Sequence, residues 1–369
     1  MLLLSTADIK RKAIKNILKT IKIKGKTMQF IGALRHLLNR TVKQSSWSIW
    51  ALLAYATCLF TFSAYATANE YKTDIQSNSP VSNNAVTDNA PTSQKITLLN
   101  AALLNDSHPH WYKVPHENTV TFVTEYGEVV IALSPALAPN HVERFQALVK
   151  AGFYNQQHFY RVVDGFVAQG GSNDTHDKDA FSQALLSELT AEFTQPISKH
   201  ATVVESRDMF APETGFLDGF AVGMDKKSNE MWGLHCPGTV AFARNSEKDT
   251  AATEFYIVIG QAPRHLDRNM SVIGRVVQGM DVLQKLPRGD SKYGGVIQQV
   301  TKNSEIRRSI VHNDQYPSYF IQLPEHEEYV SRIETGKTLN NPFFHDKKYA
   351  PRPVDVCYYQ TSTTTSPKY

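Results

Sequence analysis

Residues 159–171 set one arginine, Arg161, in an apolar, strand-like run that continues through Phe166 and Gln169 and closes on Gly170 and Gly171. A guanidinium stays charged at any relevant pH and offers five donors in a flat fork. Beside an apolar pocket it can favour a polarised state of a bound group without forming a bond to it. No nucleophile motif accompanies it, since Ser206 and the scattered serines, histidines and aspartates fall in no known constellation. Asp174, His176, Asp177 and Asp179 cluster and could take a cation, but a solvated acidic loop is the simpler reading. His108, His110 and His116, near Trp111, lack metal-site spacing. Neither cluster predicts a metal site. Singly, an arginine in a strand is most often a solvated charge and a phenylalanine most often core, so the weight rests on the pattern.

Such residues act only if the backbone aims them. In one extended strand over 159–168, Arg161, Val167 and Gln169 share parity, and Phe166 needs a bulge near Asp164 and Gly165 to join them. Residues 120–133 read as a hairpin turning at Tyr126 and Gly127. Residues 139–152 read as a helix with Asn140 as cap, Glu143 completing a capping box and Gly152 as the left-handed stop. Val142, Phe145, Leu148 and Val149 share one of its faces. Further strands are expected at 240–243, 254–259 and 271–277, with a short helix at 280–286. Residues 172–235 read as loops with short helices, for example at 181–192, and the tail from 304 as irregular chain around one helix at 325–334. Many short strands between glycine turns, with few helices, favour a mainly β fold: a closed antiparallel barrel of about eight strands capped by helices.

The run Phe159-Tyr-Arg161-Val-Val-Asp-Gly165-Phe166-Val-Ala-Gln169-Gly170-Gly171 resembles the cyclophilin signature strand, Phe-x-Arg-Val-x-x-Gly-Phe-x-x-Gln-Gly-Gly, at all eight of its fixed positions. The segments 238–244, 253–257, 266–267 and 272–281 follow in the order of that family's second half, so the resemblance spans about residues 120–286, with an enlarged insertion before Gly238. It implies a cyclophilin-like barrel and peptidyl-prolyl cis/trans isomerase activity, a non-covalent reaction that needs no metal and no cofactor, with Arg161 and Gln169 as the catalytic pair. Phe166, Val167, Ala243, Arg244, Glu254, Tyr256, Leu266 and Met270 would line the substrate site. This chain departs from the family pattern at Val167, Arg244, Glu254, Tyr256, His265 and Met270, where Met, Asn, Gln, Phe, Trp and His are usual. Arg244 and Glu254 could form an ion pair across the groove. The competing reading is a cyclophilin-fold peptide-binding module with little catalysis.

The chain has 369 residues, 41% hydrophobic and 20% charged, enough for a sizeable core. Its net charge of +4 is unevenly spread. Residues 1–46 hold eleven Lys/Arg against Asp8, residues 47–68 hold no charge, and residues 69–369 therefore carry −6. An acidic body argues against nucleic-acid binding. The basic segment, the apolar run at 47–63 and the small residues Ala64, Ala66 and Ala68 read as an export leader, with an uncleaved membrane anchor as the alternative and Met28 as a second candidate start. Cys58 has a poor lipoprotein context. The periplasm is the expected location. The partners expected are proline-containing segments of exported proteins, with membrane contact only through the N-terminal segment, and the protein is expected to be a monomer. Beyond the leader only Cys236 and Cys357 remain, and two thiols in an oxidising compartment usually pair; two buried free thiols are the alternative. The organisation expected is a leader at 1–68, a Ser/Asn/Thr/Pro-rich linker at 69–95, the isomerase domain at 96–303 with its insertion at 172–237, and a C-terminal extension at 304–369.

Overall fold

The computed structural model describes residues 108–171 and 181–367. The leader, the linker and the acidic cluster of Asp174 to Asp179 lie outside them. In chain order the strands are β1 (Trp111–Lys113), β2 (Thr119–Thr124), β3 (Gly127–Leu133), β4 (Gln157–Val162), β5 (Val167–Gly171), β6 (Gln195–Pro196), β7 (Ala201–Glu205), β8 (Glu213–Leu217), β9 (Phe220–Asp225), β10 (Glu230–Gly233), β11 (Thr239–Phe242), β12 (Phe255–Val258), β13 (Val272–Gln278), β14 (Glu305–Ile306), β15 (Arg308–Val311), β16 (Phe320–Gln322) and β17 (Thr363–Thr364). Among the described residues four α-helices accompany them: α1 (Pro139–Lys150), α2 (Gln183–Leu186), α3 (Met280–Gln284) and α4 (Glu327–Thr338).

Nine of these strands form one sheet in the order β14-β4-β5-β12-β11-β13-β3-β2-β15. Its two end strands are successive pieces of one segment, separated only by Arg307, whose N–H donates to the Val123 carbonyl at 2.8 Å. That segment pairs with β4 at its start and with β2 along its length, and so closes the barrel. The barrel sheet thus continues past residue 303, the boundary expected from sequence, because Arg308–Val311 supplies the partner that β2 would otherwise lack.

The barrel interior is a cluster of aromatic rings. Phe145 of α1 meets Tyr154 at 5.4 Å, Phe255 at 5.6 Å and Phe122 at 6.0 Å between centroids. Burial of each such ring stabilises the fold by roughly 1.5–3 kcal/mol. The expected face of α1, Val142, Phe145, Leu148 and Val149, is the buried one. Its expected cap does not form. Pro139 takes the first helical position, which leaves Asn140 inside the helix. The free N–H groups of Asn140 and His141 are instead met by the Glu192 carboxylate, at 3.1 and 3.0 Å.

The insertion is a sheet rather than loops and short helices. Its five strands run in the order β6-β10-β9-β8-β7, and only α2 is helical within 181–192. The β8–β9 turn is Asp218-Gly219, with φ of 52° and 80°, between the facing residues Leu217 and Phe220. That left-handed pair is what a two-residue hairpin of this hand requires. Leu217, Phe220, Val222, Met224 and Met231 of this sheet pack with Val130, Ala132, Val258 and Val272 on the outside of the barrel.

The tail is also more ordered than expected. β16 pairs with β1 and β17, and α4 begins at Glu327, capped by the His326 ring. Tyr329 and Ile333 of α4 pack with Phe216, Trp232 and Val356. A disulfide joins Cys236 to Cys357. Arg275 of β13 is half-buried and donates to the Gly219 carbonyl at 3.1 Å and to the Thr361 hydroxyl and carbonyl at 3.1 and 3.2 Å. It therefore pins barrel, insertion and tail at one point. Burial lowers its pKa to about 10.

Candidate active site

Residues 157–171 form a hairpin, not the single strand expected. The Val163 N–H donates to the Val167 carbonyl at 2.9 Å across a turn where Gly165 has a φ of 67°. Arg161 then stands directly opposite Gln169. The bulge lies between His158 and Arg161, earlier than predicted. Two consecutive residues, Tyr160 and Arg161, are thereby turned to the outer face while Phe159 and Val162 stay in the barrel core.

The outer face carries a chain of hydrogen bonds. Arg161 donates from Nε to the Gly294 carbonyl at 2.9 Å and from Nη1 to Gln169 Oε1 at 3.1 Å. Gln169 Nε2 donates to the Tyr160 hydroxyl at 2.6 Å, which donates in turn to Glu254 Oε2 at 2.7 Å. Burial, then the charge of Glu254, pushes the Tyr160 phenol well above its usual range. It keeps its proton, and so fixes which end of the Gln169 amide faces Arg161. Gly171 makes room for the acid: a Cβ there would fall 2.5 Å from the Glu254 carboxylate. Two of the five Arg161 donors are held by protein acceptors among the described residues, leaving the others for a bound group.

Beside this chain lies the apolar part. Val167, Ala243, Tyr256, Leu266, Met270 and Phe166 belong to one cluster, in which Val167 and Tyr256 are 2% and 4% exposed. Phe166 stacks on His265 at 6.3 Å. The ten residues predicted to act together therefore divide. Arg161 and Gln169 pair, these six pack together, and Glu254 joins the pair through Tyr160. Arg244 does not reach Glu254. It donates to the carbonyls of Asn245, Ser246 and Asn269 at 2.8–3.0 Å and lies over the Phe193 ring. Held by these three carbonyls, the guanidinium does not cross the groove.

Sequence reasoning missed Tyr160, Gly294 and a second set beneath Tyr256. The Tyr256 hydroxyl lies 2.8 Å from His235 Nε2, and His235 Nδ1 lies 3.0 Å from Asp267 Oδ1. Arg264 Nε donates to Asp267 Oδ2 at 2.5 Å and its two Nη atoms donate to Asp208 at 3.0 and 3.2 Å. A tyrosine at an otherwise apolar pocket floor was the one available signal, because a buried phenol needs a partner. Among the described residues no group of His, Cys, Asp and Glu could hold a metal ion.

A family model described as cyclophilin type peptidyl-prolyl cis-trans isomerase matches residues 119–311. A probable peptidyl-prolyl cis-trans isomerase of Brucella suis is 29% identical over 194 residues, which cover 50% of this chain and 80% of the relative. The peptidyl-prolyl cis-trans isomerase A of Dickeya dadantii is 29% identical over 185 residues, 49% of this chain and 77% of that one. Among solved structures, a cyclophilin from Hirschia baltica matches with a TM-score of 0.55 and 26% identity, over 69% of this chain and 92% of its own. The likeness to that structure therefore reaches beyond the residues the family model covers.

Proposed function

This chain belongs to the cyclophilin-type peptidyl-prolyl cis-trans isomerase family, and from that membership we propose that it isomerises Xaa-Pro bonds in exported proteins, with Arg161 stabilising the twisted amide over an apolar proline pocket. Rotation about the bond must break amide resonance, which sets a barrier of about 18–20 kcal/mol. No bond is exchanged, so the site has only to bind the twisted form better than either planar one. The cluster around Tyr256 would take the proline ring. A guanidinium held by Gln169 and Gly294 would favour the pyramidal prolyl nitrogen, whose electron pair is no longer shared with the carbonyl. Its position is set before substrate arrives, so no reorganisation opposes the step. Lowering the barrier by ~5–7 kcal/mol gives roughly four to five powers of ten in rate.

The observation that carries this reading is the placement of Arg161 opposite Gln169 at the rim of the apolar cluster. The export part rests on the basic and apolar leader of the sequence, and the cysteine pair suits an oxidising compartment. A peptide-binding module without turnover is the rival reading, favoured by the tyrosine at position 256. Exchange spectroscopy on Xaa-Pro peptides separates the two. The expected outcome is that the protein accelerates exchange and that Arg161→Ala lowers it at least tenfold while the fold is kept. Exchange at the uncatalysed rate from folded protein rejects the enzymatic mechanism in favour of binding.

A further inference from the structure

We propose that His235 is a positioning residue for this isomerase: held by Asp267, it fixes Tyr256 at the floor of the proline pocket and couples that floor to the insertion and the tail. The inference rests on the pocket reading above. Tyr256 is 4% exposed and His235 is fully buried, with the two rings stacked at 6.0 Å and 15°. Asp267 Oδ1 accepts from the His235 backbone N–H at 2.9 Å and faces its Nδ1 at 3.0 Å. A carboxylate can only accept, so Nδ1 carries the ring proton and Nε2 presents its lone pair to the Tyr256 hydroxyl. Burial pushes the phenol far above its usual range, and it keeps the proton it donates.

His235 has little freedom. Its neighbour Cys236 is bonded to Cys357, the Thr239 hydroxyl donates to the Leu234 carbonyl at 2.8 Å, and Gln360 from the tail donates to the Pro237 carbonyl at 2.9 Å. Asp267 follows Leu266 directly, so one carboxylate steadies both the floor of the pocket and the loop carrying its wall. Arg264 ties that carboxylate to Asp208 of the insertion. Two outer segments thus hold an aromatic ring whose tilt decides the shape of the space for a proline.

The test is a double-mutant cycle in the intact protein, read by peptide exchange kinetics. His235→Phe is expected to lower kcat/KM at least fivefold, mainly through KM, because the hydroxyl is left unpaired and the ring moves. In a Tyr256→Phe background the same replacement is expected to cost less than twofold, since no hydroxyl remains to be held. Equal losses in both backgrounds, or no loss in either, overturn the proposal. If His235→Phe does not fold, the wild-type protein decides: long-range proton–nitrogen NMR correlations are expected to show His235 protonated at Nδ1, and a ring protonated at Nε2 overturns the proposal. Tyr256→Ala keeps the two readings apart. Unchanged turnover there rejects the pocket itself, whereas a tenfold loss there with none in His235→Phe rejects only the role of His235.

Discussion

The barrel and the layer outside it are held together by different physics. Inside the barrel, Phe122, Phe145, Tyr154 and Phe255 meet ring to ring, and the closure is a run of backbone hydrogen bonds. Outside, the insertion sheet and the tail share an apolar seam with the barrel, but they are located by discrete anchors. These are a disulfide, Arg264 between Asp208 and Asp267, and Arg275 on the carbonyls of Gly219 and Thr361. Burying charges such as Arg264 and Asp267 is costly, and the cost is returned only in one geometry. The contrast teaches that the barrel supplies stability, whereas the outer anchors specify where the second layer sits.

The largest expected effect breaks the barrel side. Phe145→Ala removes the ring at the centre of the aromatic cluster and is expected to cost about 4 kcal/mol, measured as a fall in the denaturant midpoint. Removing the disulfide by Cys236→Ser with Cys357→Ser is expected to cost about 3 kcal/mol. Hydrogen exchange should then show the tail and insertion opening before the barrel; a single cooperative transition would mean that the two regions are not separable. A full loop-entropy figure of ~4–5 kcal/mol is not expected, because α4 still packs against Phe216 and Trp232.

The smallest effect sharpens the comparison through pH. Burial raises Asp218, in the insertion turn, to about 6. Between its ordinary value of 3.8 and about 6 the folded state binds more protons than the unfolded one, so this stabilisation is complete at low pH and is lost as pH rises through 6. Burial, helped by His116, lowers His312, just past the closing strand, from 6.5 to about 4. Across that window the unfolded state binds more protons, and stability rises with pH. The two oppose each other between about pH 4 and 6. Asp218→Asn should therefore steepen the rise of stability with pH, and His312→Phe should flatten or reverse it, both read from thermal midpoints.

What the sequence showed follows from how local each signal is. The β2–β3 hairpin and the buried face of α1 were legible because periodicity and turn residues lie within a few positions of one another. Arg161, Gln169 and the apolar set were legible as a pattern, although the geometry joining them was not: a hairpin at Gly165 and a bulge at Tyr160 replaced the single bent strand. Asp218-Gly219 was a usable hairpin signal in the insertion, obscured by the short, glycine-containing strands on either side. Glu192 capping α1 and His235 meeting Asp267 and Tyr256 are contacts between distant segments, and no local spacing announces them.

The segment that closes the barrel has a consequence for the order of events during synthesis. β2 and β4 are made early, yet the segment that pairs with both, residues 305–311, follows every other strand of the barrel. Until it arrives the nascent sheet keeps two open edges, each a template for pairing with another chain. Contacts between residues so far apart in sequence also form slowly. A barrel built this way is completed only after the rest of its strands have been made, and its two edges stay exposed until then.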